Sequence, residues 1–396
     1  MPASDVDRLI GWFDAGDLVR PDHDAPNILQ LSRAIARLCG VDGIEETDAI
    51  RRIEDVIGRH EHYVFVLVDG MGMHLIERLR SDERLRASLA MELQTVCPSS
   101  TAPALTTLAT ALPPAQHAVP GWWTYLPDAG VTATILPFVE RFGEKPLGIA
   151  PGLGFPAPVT ASRFRRENFW MSPKPIAGSI YTRYSSGDAP HAGYQSMTMA
   201  VEIIARRISQ AERPTYTYWY VPFVDTAQHD HGPDAPQVTR IFSTVRRRLR
   251  LLYETLRGRA RVIITADHGQ IGIDECHRHV FDRHDPLMAM LRHPPTCEPR
   301  MAAFHVREGL HERFAATFRE RVGELFALIT TEELSALRLM GPTPLSAEMR
   351  RRMGDFVAIP RGRDVILYEP KETLRLMRGF HGGLTRDEVR VPLILA

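Results

Sequence analysis

The sequence predicts an α/β fold, a doubly wound and mostly parallel sheet with helices on both faces. Three observations predict it. Residues 63–68 form an unbroken apolar run that stops at Asp69-Gly70, as a strand buried on both faces does. Runs of the same kind recur at 216–221, 262–265, 356–359, 365–368 and 391–395. Helical patterns alternate with them, for example Val238, Ile241, Val245, Leu249, Leu252 and Leu256, and that alternation is the signature of a doubly wound sheet.

Residues 1–60 precede the first strand and read as a helical lead-in. Val6, Leu9, Ile10 and Phe13 recur at helical spacing, as do Ile28, Leu31, Ile35 and Leu38, with Cys39-Gly40 as a stop. Residues 61–396 then form the main domain, interrupted twice. The stretch from about 138 to 190 is rich in Pro, Gly, Arg and aromatic residues, and from about 296 to 360 a strand–helix–strand pattern runs without polar residues at its strand ends. Both are expected to be insertions, the second a small α+β unit.

Composition narrows the function. The 396 residues carry 48 basic and 48 acidic groups, so there is no global field to hold nucleic acid or an anionic membrane, and any bound anion must be held locally. Nucleic-acid scaffolding and membrane association are not expected. The four cysteines are far apart with no C-x-x-C pair, the first residues are acidic where a secretory signal is basic, and no apolar run approaches the ~18 residues of a membrane span. A cytoplasmic location is the expectation.

In open α/β sheets ligands sit beyond the carboxyl ends of the strands, so polar residues directly after apolar runs are the candidates. Asp69 follows the first strand, Asp225 and His229 follow 217–224, and Asp267-His268 follow 262–266. His381 lies in Phe380-His381-Gly382-Gly383, ahead of the terminal strand. Three aspartates and three histidines make an oxygen and nitrogen donor set suited to zinc, with manganese also acceptable to the carboxylates. Plainer uses exist. Asp69-Gly70 suits a turn, Asp225 and His229 suit an exposed helix turn, and a lone His381 suits a satisfied core.

The nucleophile candidate is Thr101, in Cys97-Pro98-Ser99-Ser100-Thr101-Ala102-Pro103. Leu105, Leu108 and Leu112 are helix-spaced behind it, which puts its hydroxyl at the positive end of a helix. A capping role is the plainer use, and both can hold. A threonine hydroxyl is a poor nucleophile at neutral pH, and coordination to a divalent ion activates it.

These stretches resemble the alkaline phosphatase superfamily, nearest to its type I phosphodiesterase/nucleotide pyrophosphatase branch. The ordered matches are Val68-Asp69-Gly70, Pro98-Ser99-Ser100-Thr101-Ala102-Pro103, the run from Asp225 to Gly232, Thr265-Ala266-Asp267-His268-Gly269 and His381-Gly382-Gly383-Leu384-Thr385. The resemblance implies an alkaline phosphatase-like fold and two divalent ions, one held by Asp69, Thr101, Asp267 and His268, the other by Asp225, His229 and His381. It further implies attack of Thr101 on phosphorus, a phosphothreonine intermediate, and hydrolysis by water. The partner would be a small soluble phosphoester.

The sequence also departs from the family pattern. Nucleotide pyrophosphatases often carry Thr-Phe-Pro-Asn at the nucleophile, whereas Ala102 and Ala104 stand here, which leaves nucleotide specificity open. A sulfatase is not expected, because Thr101 stands four places after Cys97 where that signature needs arginine. Trp122 and Trp123 suit stacking on a base or aryl group, or packing; Arg163, Arg165 and Arg166 suit contact with a substrate phosphate, or a solvated loop. No lysine or arginine occurs from 87 to 140, which favours a singly charged diester over a monoester dianion. Two alternatives stay open, a phosphomonoesterase or phosphonate hydrolase of the same fold and a catalytically silent binding protein. The complete ligand set argues against the silent one.

Overall fold

Strand His62–Val68 lies in the middle of a seven-stranded sheet, and every residue from Tyr63 to Val68 is buried. The computed structural model describes residues 4–187, 189–368 and 376–396. Across the sheet the order is Leu89–Gln94, Arg390–Leu395, Arg261–Thr265, His62–Val68, Thr215–Val221, Glu167–Pro173, His191–Tyr194. The last five run parallel, with Phe65 facing Tyr218 on one side and Ile263 on the other. Arg390–Leu395 runs antiparallel to both its neighbours, so the sheet is mixed but mostly parallel. The unbroken burial of the central strand follows from helices packed over the sheet. Each such large apolar side chain contributes roughly 1.5–3 kcal/mol on leaving water.

Helix Pro236–Leu256 covers part of it with Val238, Phe242, Val245, Leu249, Leu252, Tyr253 and Leu256. Ile241, expected on that stripe, is 39% exposed. The spacing from Val238 through Phe242 to Val245 meets the core, and the larger aromatic takes the place assigned to the isoleucine.

The lead-in is divided. Helices Ile28–Leu38 and Asp48–Ile57 bury Ile28, Leu31, Ile35, Ile50, Ile53 and Ile57 in the core of the central sheet. Helix Asp5–Asp14 sends Leu9 and Trp12 into a different core, against Ile329, Met349 and Val357.

That second core belongs to a second seven-stranded sheet, in the order Phe326–Thr330, Phe356–Pro360, Met301–Phe304, Thr296–Glu298, Trp123–Leu126, Val131–Thr134, Val139–Glu140. All its pairs are antiparallel. The expected boundaries therefore shift. The stretch 296–360 is joined by 123–140 through the pairing of Cys297 with Trp123, and the stretch 138–190 is shared out. Val139–Glu140 ends the second sheet, while Glu167–Pro173 and His191–Tyr194 extend the central one. Strands of two to four residues show too few alternations to be read from sequence. No helix among the described residues is long and apolar enough to cross a membrane.

Candidate active site

Three adjacent parallel strands, Arg261–Thr265, His62–Val68 and Thr215–Val221, deliver their carboxyl ends to one edge of the central sheet. Asp69 and the pair Asp267-His268 leave two of these ends directly. Asp225 and His229 follow the third on helix Phe223–His231, four residues apart and so on one face. His381 comes from after Gly379–Phe380, a short strand paired with Ile271–Gly272.

Glycine makes this convergence possible at two points. Gly70 has φ of +70°, and a Cβ there would lie 2.8 Å from the Cα of Asp225. A Cβ on Gly269 would lie 1.9 Å from the carbonyl oxygen of Asp387. Asp69-Gly70 is thus a turn and a donor position together.

Ligand atoms of Asp225, His229 and His381 lie within 4.8 Å of one another, and so do those of Asp69, Asp225 and His268. Asp225 takes part in both groups, so the two sets meet at its carboxylate. The Nε2 of His268 is 3.0 Å from the Oγ1 of Thr101 and 3.5 Å from both Asp69 Oδ1 and Asp267 Oδ2.

The donor chemistry fits divalent ions. Each histidine gives its Nδ1–H to a backbone carbonyl, His229 to Gly379 at 2.8 Å, His268 to Gly269 at 2.9 Å and His381 to Ser99 at 3.1 Å. A carbonyl can only accept, so each Nε2 keeps its lone pair for the cluster, the arrangement metal-ligating histidines adopt. Asp267 Oδ1 accepts the N–H groups of Gly70 and His268, and Asp69 Oδ2 accepts the Tyr220 hydroxyl. The other oxygens, Asp69 Oδ1 and Asp267 Oδ2, are buried without a partner. Burial, and then the charges of Asp267 and Asp225, push the Asp69 carboxyl well above its ordinary range. Burial also raises Asp225, and burial with His268 and His229 nearby drives His381 well below the usual imidazole value. A cation among them removes both the repulsion and the cost of the orphaned oxygens.

Thr101 opens helix Thr101–Thr110. Ser100, not Thr101, is the N-cap residue, and its hydroxyl makes no capping bond. The third helical residue is Pro103, which has no N–H to offer it. Ser99 ties this turn to the His381 loop, its Oγ donating to the Gly383 carbonyl at 2.7 Å and accepting from the Gly382 N–H at 3.1 Å. Behind that loop, Arg300 and Glu388 form a fully buried pair, with Glu388 Oε1 also accepting the Gly383 N–H at 2.8 Å.

Residues 63–384 match the family described as type I phosphodiesterase / nucleotide pyrophosphatase. The chain belongs to that family. Among solved structures, murine ectonucleotide pyrophosphatase / phosphodiesterase 5 is similar at a TM-score of 0.62 and 18% identity, covering 84% of this chain and 87% of its own. Phosphonoacetate hydrolase from Sinorhizobium meliloti, in complex with phosphonoformate, is similar at 0.59 and 18%, covering 84% and 89%. At these identities the likeness is one of fold. No curated protein sequence matches significantly.

In this phosphodiesterase-family chain a cleft of about 1100 Å³ is lined by Thr101, Asp225, His229 and His381 together with Trp122, Trp123, Arg141, Arg283 and Glu298. Trp122 is half-buried on its wall. Trp123 is occupied, because the Arg141 guanidinium lies 3.5 Å from its ring centroid and donates to the Pro295 carbonyl.

Arg163 and Arg166 are elsewhere, which corrects their assignment to substrate. Arg163 donates to the Asp42 carbonyl at 2.7 Å, and Arg166 to the carbonyls of Glu61, His60 and Leu38 while lying 4.4 Å from the Tyr63 ring centroid. These partners stand at the amino end of His62–Val68, and Asp69 follows the carboxyl end. Seven residues at ~3.3 Å each separate them by about 20 Å. Arg141, one residue beyond the cation-free segment, and Arg283 are the arginines of the cleft among the described residues. Glu298 carries no pattern that marks it in sequence beyond an acid between Cys297 and Pro299.

Proposed function

We propose that this protein hydrolyses phosphodiester or pyrophosphate bonds in a small soluble substrate, with Thr101 as nucleophile and two divalent ions as cofactors, zinc in preference and manganese acceptable. Family membership supports a phosphoester hydrolase. The observation that carries the finer reading is the convergence of the Thr101 hydroxyl, three histidine Nε2 atoms and two orphaned carboxylate oxygens at one sheet edge.

Asp69, Thr101, Asp267 and His268 would hold one ion, and Asp225, His229 and His381 the other, with Asp225 close enough to serve both. When bound, the ions supply positive charge that lowers the pKa of a hydroxyl and offsets charge on the phosphoryl oxygens. Thr101 gives its proton to solvent and forms a bond to phosphorus as the bond to the leaving oxygen breaks, and that oxygen takes up a proton from solvent. Water then cleaves the phosphothreonine and restores the hydroxyl. The N-terminus of helix Thr101–Thr110 presents its positive end to the phosphoryl group throughout.

A monoester or phosphonate substrate is the second reading, and Arg141 and Arg283 favour it. The expected diester preference rests on a cation-free stretch, and these two arginines line the cleft from outside that stretch. Bis-nitrophenyl and mono-nitrophenyl phosphate, compared at equal metal loading, decide between the two. Elemental analysis and exhaustive chelation test the mechanism itself: about two ions per chain and loss of turnover are expected, and full activity without metal would overturn it.

A further inference from the structure

Glu298 ends strand Thr296–Glu298 of the second sheet and is 3% exposed, yet it forms no ion pair among the described residues. Both hydrogen bonds of its side chain among the described residues go to one oxygen. Ser100 Oγ and the Trp122 N–H, the latter at 2.6 Å, donate to Oε1, while no donor among the described residues reaches Oε2. The side chain lines the cleft that holds Thr101. Two donors on Oε1 fix the carboxyl plane and leave Oε2 to meet whatever the cleft binds.

The surroundings say what that can be. Ser100, bonded to Glu298, immediately precedes the nucleophile, and Glu298 lines the same cleft as Thr101. The helix turn after Thr101 is Ala102-Pro103-Ala104, which has no side-chain donor for the phosphoryl oxygens. An ionised carboxyl at this place would repel a phosphoryl anion, whereas the acid form would donate to it.

Resting on the hydrolase reading above, we propose that Glu298 in its acid form donates a hydrogen bond from Oε2 to a non-bridging oxygen of the phosphoryl group that Thr101 attacks. Burial pushes this carboxyl up to about 7, in the direction that favours the acid form. Glu298 is then a catalytic residue supplied by the second sheet. The proton is shared with the substrate and stays with the protein, so no further reactant is needed.

The test compares the metal-loaded wild-type chain with Glu298→Gln and Glu298→Ala on bis-nitrophenyl phosphate and on its phosphorothioate, with metal content measured for each. In the glutamine variant Oε1 still accepts from Ser100 and Trp122, which turns the Nε2 donor toward the cleft. The expected result is a loss of kcat/KM below about tenfold for glutamine and of about 10²-fold or more for alanine, carried mainly by kcat. The ratio of oxygen to sulfur substrate should fall in the alanine variant and persist in the glutamine variant. A purely structural role would leave that ratio unchanged in both variants, and that outcome overturns the proposal. So does a glutamine variant as impaired as alanine, since an ionised acceptor would then be the working form. If the alanine chain fails to fold, the glutamine variant decides alone, with a loss above tenfold overturning the proposal. An inactive wild-type chain at full metal loading counts against the hydrolase reading, separately from Glu298.

Discussion

The two sheets meet at the cleft, and they bring different things to it. The central sheet sends the candidate ligands Asp69, Asp225, Asp267 and His268 from the ends of adjacent parallel strands, or from the helix that follows one of them. The antiparallel second sheet sends a wall, with Trp123, Arg141 and Glu298. Parallel strands end together, so their loops can place charged groups around one point. Antiparallel strands reverse direction at each turn and cannot gather ends in that way, but they present a broad surface. On the proposed reading, the first sheet holds the ions, while the second reaches the phosphoryl group through Glu298 and otherwise reads the rest of the substrate.

The largest effect should come from the central side. Thr101→Ala is expected to lower kcat by at least about 10³-fold with most of the metal content retained, and Thr101→Ser to keep substantial turnover. Ser100 holds the N-cap position, so loss of a cap is not available as an explanation for a dead alanine variant. An alanine variant that keeps its rate per folded molecule would remove Thr101 from the chemistry and with it the division between the sheets.

Next in size is Tyr220, which donates to Asp69 Oδ2 from the neighbouring strand. Tyr220→Phe removes that donor and nothing else from the carboxylate's surroundings. A loss of about 10–100-fold in metal affinity or activity is expected, as for other groups that orient a ligand from behind. Titration of metal into the apo-protein checks it, and an unchanged affinity would mean that Asp69 is not a ligand.

On the second-sheet side, Arg141→Ala should act on selectivity more than on rate. Its guanidinium is held against Trp123, so removal also costs stability, about 1–2 kcal/mol for a desolvated cation–π contact. The ratio of kcat/KM for mono-nitrophenyl over bis-nitrophenyl phosphate is independent of that loss. A fall in the ratio of about tenfold is expected if the arginine meets a second negative charge, and an unchanged ratio assigns Arg141 to structure alone.

The same comparison explains what could be read from sequence. Asp69, Asp267-His268 and Asp225 with His229 were visible because each follows a long apolar run, and the run itself announces the strand whose end matters. Glu298 was not, because its strand has three residues and its partner, Trp123–Leu126, lies far away in the chain and has four. Arg141 stands one position beyond the cation-free stretch, and nothing local to Thr101 shows that the chain returns through Val139–Glu140 to the edge of the same cleft. Arg163 and Arg166 failed in the opposite sense. They looked available in sequence, but backbone carbonyls near the start of the central strand had already taken them.

That last difference yields the smallest expected effect. Arg166 lies half-buried at the amino end of the central sheet, where its guanidinium donates to three carbonyls and rests on the Tyr63 ring. Arg166→Ala removes these bonds but leaves the Tyr63–Val68 register set by its neighbouring strands, so a loss of roughly 1–2 kcal/mol in stability is expected. Arg163, exposed and bonded to a single carbonyl, should cost ~0.5 kcal/mol or less. Neither variant should alter kcat/KM per folded molecule on either nitrophenyl substrate. Denaturant unfolding and steady-state rates on the same preparations separate the two quantities. A change in kcat/KM of more than about threefold in Arg166→Ala, with metal content intact, would mean that the far end of the sheet communicates with the cleft, and the sheet could then no longer be treated as a rigid support for its carboxyl edge.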